Sequence, residues 1–193
     1  MKNTRTIART VGGLMLAAFL LYGIGSSVAL AATNGVLMIS GVIMMLLNSV
    51  AVIVIGILLV PILRPHAPAV AVVYLTARLF EGVFLAAGAL FLLRGSAHMN
   101  FLAYSVAMAG LSIGSLVFCV ALYRSRLVPR FLSVWGFVGY ASFATGCILE
   151  LSGVAGVGII STVPGGLFEL FFAVWLITRG FRSSVGFAAE ARI

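Results

Sequence analysis

The chain has 193 residues, 63% of them hydrophobic and 8% charged, with a mean hydropathy of +1.24 and a formal net charge of +8. A water-soluble domain covers its surface with about 25% charged residues, so these proportions exclude one and make lipid the solvent. The positive charge follows from loops lying against an anionic membrane surface and requires no nucleic acid.

A bilayer core takes about 20 apolar residues per helix, and six segments are long enough, at about 11–32, 36–60, 69–93, 101–123, 130–151 and 160–179. Abundant Leu, Ala, Gly and Met without strict alternation argue against a β-barrel, whose lumen face is polar at every second residue. The expected fold is an all-α membrane protein, a compact six-transmembrane-helix bundle in one domain over residues 1–193.

The first segment resembles a secretory signal in its basic start and in Ala29-Leu30-Ala31. Its apolar run from Val11 to Ala32 has the length of a span, so a retained helix is expected. Pro61, Pro65 and Pro68 are expected to punctuate the turn between spans two and three, and Pro129 to mark the start of span five. In span four, Gly110 and Gly114 have the spacing that lets two helices approach, within the chain or across a dimer. The glycine-rich stretch 152–161 links spans five and six, and a short tail from Arg182, read as an interfacial helix, follows span six.

Charge placement orients the spans. Lys2, Arg5 and Arg9 precede the first, Arg64 follows the second, and Arg124, Arg126 and Arg130 separate the fourth from the fifth. Arg179, Arg182 and Arg192 follow the sixth, whereas Arg94 lies in an opposite loop and Arg78 inside a span. Six spans put the four basic groups on one side, which the positive-inside rule makes cytoplasmic. The expected location is a bacterial inner membrane, with both termini in the cytoplasm.

All four acidic residues are glutamates, and two stand at mid-membrane in matching stretches, Leu79-Phe80-Glu81-Gly82-Val83-Phe84 and Leu167-Phe168-Glu169-Leu170-Phe171-Phe172. A charge at that depth costs roughly 2.5–3.5 kcal/mol on insertion scales, whereas intramembrane polar contacts contribute about 0.6 kcal/mol on average. The cost exceeds the glue, which points to a functional cluster. Arg78 lies three residues before Glu81 and shares its helix face. Asn48 in span two and Tyr140 in span five are central by residue count. The candidate ligand-binding set is therefore Arg78, Glu81, Glu169, Asn48 and Tyr140. Glu150, at the outer end of span five, reads as a solvated interfacial carboxylate. Pro164-Gly165-Gly166, before Glu169, reads either as a local helix break beside a binding site or as the start of the last helix. The two matching stretches also raise a 3+3 inverted pseudo-repeat, with the site between its halves.

These residues support a binder or transporter of a small lipophilic or cationic ligand. The alternatives are an intramembrane enzyme acting on a lipid or isoprenoid, with Glu81 or Glu169 as general acid, and a structural or regulatory subunit. Besides membrane lipids, a homo-oligomeric partner is expected from the glycine pair. No cofactor or metal is expected: His66 and His98 lie on opposite sides, and Cys119 and Cys147 belong to different levels of the bundle.

Further stretches carry a family resemblance. They are Ala8-Arg9-Thr10-Val11-Gly12-Gly13, Arg78-Leu79-Phe80-Glu81, Ala121-Leu122-Tyr123-Arg124-Ser125, Leu127-Val128-Pro129-Arg130, Phe168-Glu169-Leu170 and Trp175-Leu176-Ile177. Through them the chain resembles, over nearly its full length, the bacterial integral-membrane domain-of-unknown-function family 4386. This copy looks shorter than many relatives, mainly in its outer loops. The resemblance implies a compact six-helix bundle and no established activity.

Overall fold

The apolar segments fold into α1 (Lys2–Leu30), α2 (Gly35–Leu63), α3 (Pro68–Leu93), α4 (Ala97–Ser125), α5 (Arg130–Leu151) and α6 (Val157–Thr178). The structure is a computed structural model that describes residues 2–154 and 156–182. All six helices are long and apolar enough to cross a membrane, as expected for a multi-pass membrane protein. Most of the helices run past the expected bounds. At about 1.5 Å per residue a 29-residue helix is roughly 43 Å long, more than the ~30 Å hydrocarbon core. Hydropathy marks only the part in hydrocarbon, whereas backbone hydrogen bonding continues into the headgroup layer.

Local chemistry sets the ends. Asn34 Oδ1 accepts the Leu37 N–H at 2.9 Å, and Ser96 Oγ accepts the Met99 N–H at 3.4 Å, capping α2 and α4. Pro68 opens α3, where its missing N–H costs nothing. Two prolines differ from expectation. Pro61 lies inside the last turns of α2 rather than in the following turn. Pro164 lies inside an uninterrupted α6, so the chain neither breaks nor begins a helix there. In the tail, the Arg182 N–H donates to Leu127 O at 2.8 Å. The expected interfacial helix beyond it, with Arg192, lies outside the described residues.

Each helix packs on its neighbours in sequence, and α6 closes on α1, giving a ring traversed in one sense. Arg5, Arg9, Arg64, Arg124, Arg126, Arg130, Arg179 and Arg182 are exposed at one end of the ring, here the basic face; Arg94 is exposed at the other. Large apolar side chains such as Leu47, Val83, Ile113 and Val138 point outward, so each helix is apolar on both its inner and its lipid-facing side. Gly110 and Gly114 approach Phe80 and Ala77 of α3. That glycine pair serves packing within the chain.

Candidate functional site

The site is built on one face of α3. Tyr74, Arg78, Glu81 and Leu85 succeed one another at helical spacing and are all buried. Arg78 Nη1 donates to Glu81 Oε2 at 2.8 Å, and Arg78 Nε donates to Tyr74 Oη at 2.9 Å. The guanidinium also lies 5.2 Å from the Tyr74 ring centroid. Gly56 of α2 makes room for this side chain, since a Cβ there would stand 2.8 Å from Arg78 Cβ.

From the other side α6 brings Glu169. Its Oε1 lies 3.8 Å from Arg78 Nη2, close enough for an ion pair but too far for a hydrogen bond. The Tyr140 hydroxyl of α5 donates to the same oxygen at 2.7 Å. This bond depends on α5 and α6 nearly touching: a Cβ on Gly139 would fall 2.9 Å from Gly165 Cα. That explains Pro164-Gly165-Gly166 better than a broken helix does. The glycines let the backbones approach so that Tyr140 can reach Glu169.

A cavity of about 470 Å³ lies against this cluster and is lined from all six helices. Such a volume is within the roughly 300–1,000 Å³ of small-molecule sites. Arg78, Glu81, Glu169 and Asn48 form its polar wall; Phe19, Tyr22, Met108, Phe143 and Leu170 are among the apolar lining. Tyr22 stacks on Tyr104 with ring centroids 5.2 Å apart, and both face the cavity. The members of the cluster are not equally accessible. The Arg78 and Glu81 side chains are 3% and 5% exposed, whereas that of Glu169 is 21% exposed. Glu169 is the most exposed charged group of the cluster.

The mouth lies in the seam between α1 and α6, the two least enclosed helices. Phe19, Gly23, Val163 and Leu167 line the cavity and are exposed at the outer surface of the bundle. Toward the basic face the seam is shut: Gly12 packs against the Ala173 carbonyl, and Arg9 Nε donates to Ile177 O at 3.4 Å. The exposed lining residues therefore lie on the apolar flank of the bundle, in the half remote from the basic face. Beside this cavity a smaller one of about 90 Å³ shares Tyr104 and Thr162 with the first and reaches Glu150.

Four of the five candidate residues, Arg78, Glu81, Glu169 and Tyr140, are joined by direct contacts, and the fifth, buried Asn48, lies on the same cavity wall. Tyr140 stands behind Glu169 rather than on the lining. Sequence reasoning missed Tyr74, although its place one turn before Arg78 was a usable signal. The Tyr22–Tyr104 pair carries no sequence signal, because membrane tyrosines ordinarily mark the interface. Glu150 is not merely solvated: its two oxygens accept the Gly156 and Gly158 N–H groups at 3.0 and 2.7 Å, capping the start of α6. Cys119 and Cys147 are both free and buried, and no metal-binding cluster occurs among the described residues.

Two of the five candidate residues, Tyr140 and Glu169, fall in a recognisable stretch. Residues 94–180 match the family described as Domain of unknown function (DUF4386). The match is somewhat under half of the chain and corresponds to α4, α5 and α6. It includes Tyr104, Tyr140, Gly165 and Glu169. The expected resemblance was wider, since Ala8–Gly13 and Arg78–Glu81 precede the DUF4386 match. No curated protein and no solved structure matches the chain.

Proposed function

We propose that this multi-pass membrane protein binds a small lipophilic ligand, drawn from the surrounding lipid into the mid-membrane cavity, and acts as its carrier. The observation that supports this reading most is the lateral mouth between α1 and α6, which leads from the apolar exterior directly to Glu169. A purely structural ion pair has no need of a cavity against it. Arg78, Glu81 and Glu169 would hold the ligand's polar group, Asn48 would add a hydrogen-bonding side chain, and Tyr140 would fix the Glu169 carboxylate. The basic face supports placement in a bacterial plasma membrane with both termini cytoplasmic, so the mouth would open in the outer leaflet.

The two Leu-Phe-Glu stretches bear on mechanism differently from first expectation. A two-fold axis in the membrane plane reverses the sense in which helices follow one another around a ring. Here α1 to α6 follow one sense throughout. We therefore read the stretches as two halves of one charge cluster rather than as an inverted duplication. The general-acid alternative has less support, because Glu81 is already engaged by Arg78. Native mass spectrometry of the detergent-purified protein tests the proposal. A co-purifying small molecule, lost from Gly23→Leu, is expected; identical ligand-free spectra from both proteins would remove the binding reading.

A further inference from the structure

Resting on that binding reading, we infer that the cavity is selective for a lipophilic monocation, with Glu169 as its counter-ion. The charge balance of the site carries the argument. Two carboxylates, Glu81 and Glu169, face a single guanidinium, Arg78. Arg78 satisfies them unequally: it hydrogen-bonds Glu81 at 2.8 Å but stands 3.8 Å from Glu169. A carboxylate enclosed in hydrocarbon with a partial counter-charge is costly, and the cost is relieved either by a proton or by a further positive partner, which a monocationic ligand supplies. The exposed part of the cluster is the under-compensated one. A ligand anion is disfavoured, since it would have to pass Glu169 to reach a guanidinium already held between two carboxylates.

The remaining walls suit a cation of the same kind. The same lining includes the stacked Tyr22–Tyr104 pair together with Phe19 and Phe143. Aromatic faces attract quaternary and primary ammonium groups, most strongly away from water. Tyr140 reinforces the arrangement by donating to Oε1, which keeps Glu169 turned toward the cavity without supplying a full positive charge. The ligand class is an organic amine or quaternary ammonium with one apolar body, small enough for about 470 Å³.

The experiment compares benzyltrimethylammonium with neopentylbenzene, its uncharged carbon isostere, for binding to the detergent-purified full chain. The cation is expected to bind at least about tenfold more tightly, and Glu169→Gln to remove that preference. Equal binding of the two probes to the unmodified protein overturns the charge inference and leaves the cavity reading standing. Binding of neither, in a protein whose thermal unfolding stays cooperative, overturns both. A co-purifying lipid acyl chain that saturating cation does not displace also overturns the inference. The first comparison needs no variant, and Gly23→Leu, which narrows the mouth without touching the charges, should weaken both probes alike.

Discussion

The half of the bundle nearer the basic face and the half remote from it contain similar residues yet pack differently. In the first, aromatic rings run almost continuously from α3 to α5: Tyr74 stacks on Phe118 at 4.3 Å, Phe118 meets Phe172 at 6.1 Å, and Phe172 stacks on Phe168 at 5.4 Å. Tyr140 then meets Phe168 edge-on at 5.7 Å. Offset and edge-to-face pairs of this kind fill volume at low strain. The remote half has smaller core clusters around Leu85 and Met45, with the cavity among them. The two terminal rings of the aromatic run, Tyr74 and Tyr140, carry hydroxyls that bind Arg78 and Glu169. The solid half is therefore a rigid floor that aims the charges at the hollow half. Position in the bundle, not residue type, separates support from site.

The largest effect should come from the boundary between the halves. Arg78→Met leaves Glu81 beside Glu169 without a cation, and breaking such a buried pair costs about 3–5 kcal/mol. Thermal unfolding in detergent should show a large loss of stability, largely restored in Arg78→Met/Glu81→Gln. A double variant no better than the single one would mean that the floor does not rest on this pair.

A smaller effect is expected where α5 and α6 touch. Gly139→Ala forces a Cβ against the Gly165 backbone, and overpacking of this kind costs about 1–3 kcal/mol. It should also separate Tyr140 from Glu169. A combined Gly139→Ala/Tyr140→Phe variant would then be no worse than Gly139→Ala alone; a full additive loss would show that the glycine contact and the hydroxyl act independently.

How much of this was legible in the sequence follows from what each signal measures. Six spans and the basic face were readable because lipid imposes length rules on every helix and charge rules on the loops between them. Arg78 and Glu81 were readable as a pair because three residues along a helix is a fixed geometry. Their meeting with Glu169 was suggested only by equal depth, and depth does not say which way a side chain points. The Gly139–Gly165 contact was illegible, since Gly165 stands out only beside Pro164 and, with 22 glycines, nothing marks Gly139 as its partner. Pro164 was misread because proline is tolerated in a membrane helix whose neighbours secure the backbone. The mouth between α1 and α6 depends on ring closure, which no local pattern encodes.

Glu150 offers a contrast at the end remote from the basic face. Glu150→Gln weakens the acceptor for the Gly156 and Gly158 N–H groups, so amide exchange there should accelerate with little change in overall unfolding. Exchange unchanged at both glycines would dismiss the cap. The smallest effect on stability is expected at the mouth itself. Apart from the adjoining backbone of α1, nothing lies within 4 Å of a Cβ added to Gly23, and replacing a helical glycine gains up to about 1 kcal/mol. Gly23→Leu should fold as well as the unmodified protein or better while obstructing the seam.

Labelling with dicyclohexylcarbodiimide, a lipid-soluble carboxyl reagent, followed by peptide mass spectrometry, tests the central claim most directly. If the cavity opens to lipid and presents Glu169 ahead of its partners, Glu169 should be modified well before Glu81, and Gly23→Leu should slow that reaction. Equal labelling of the two glutamates, or none at Glu169 in the folded protein, would contradict the account.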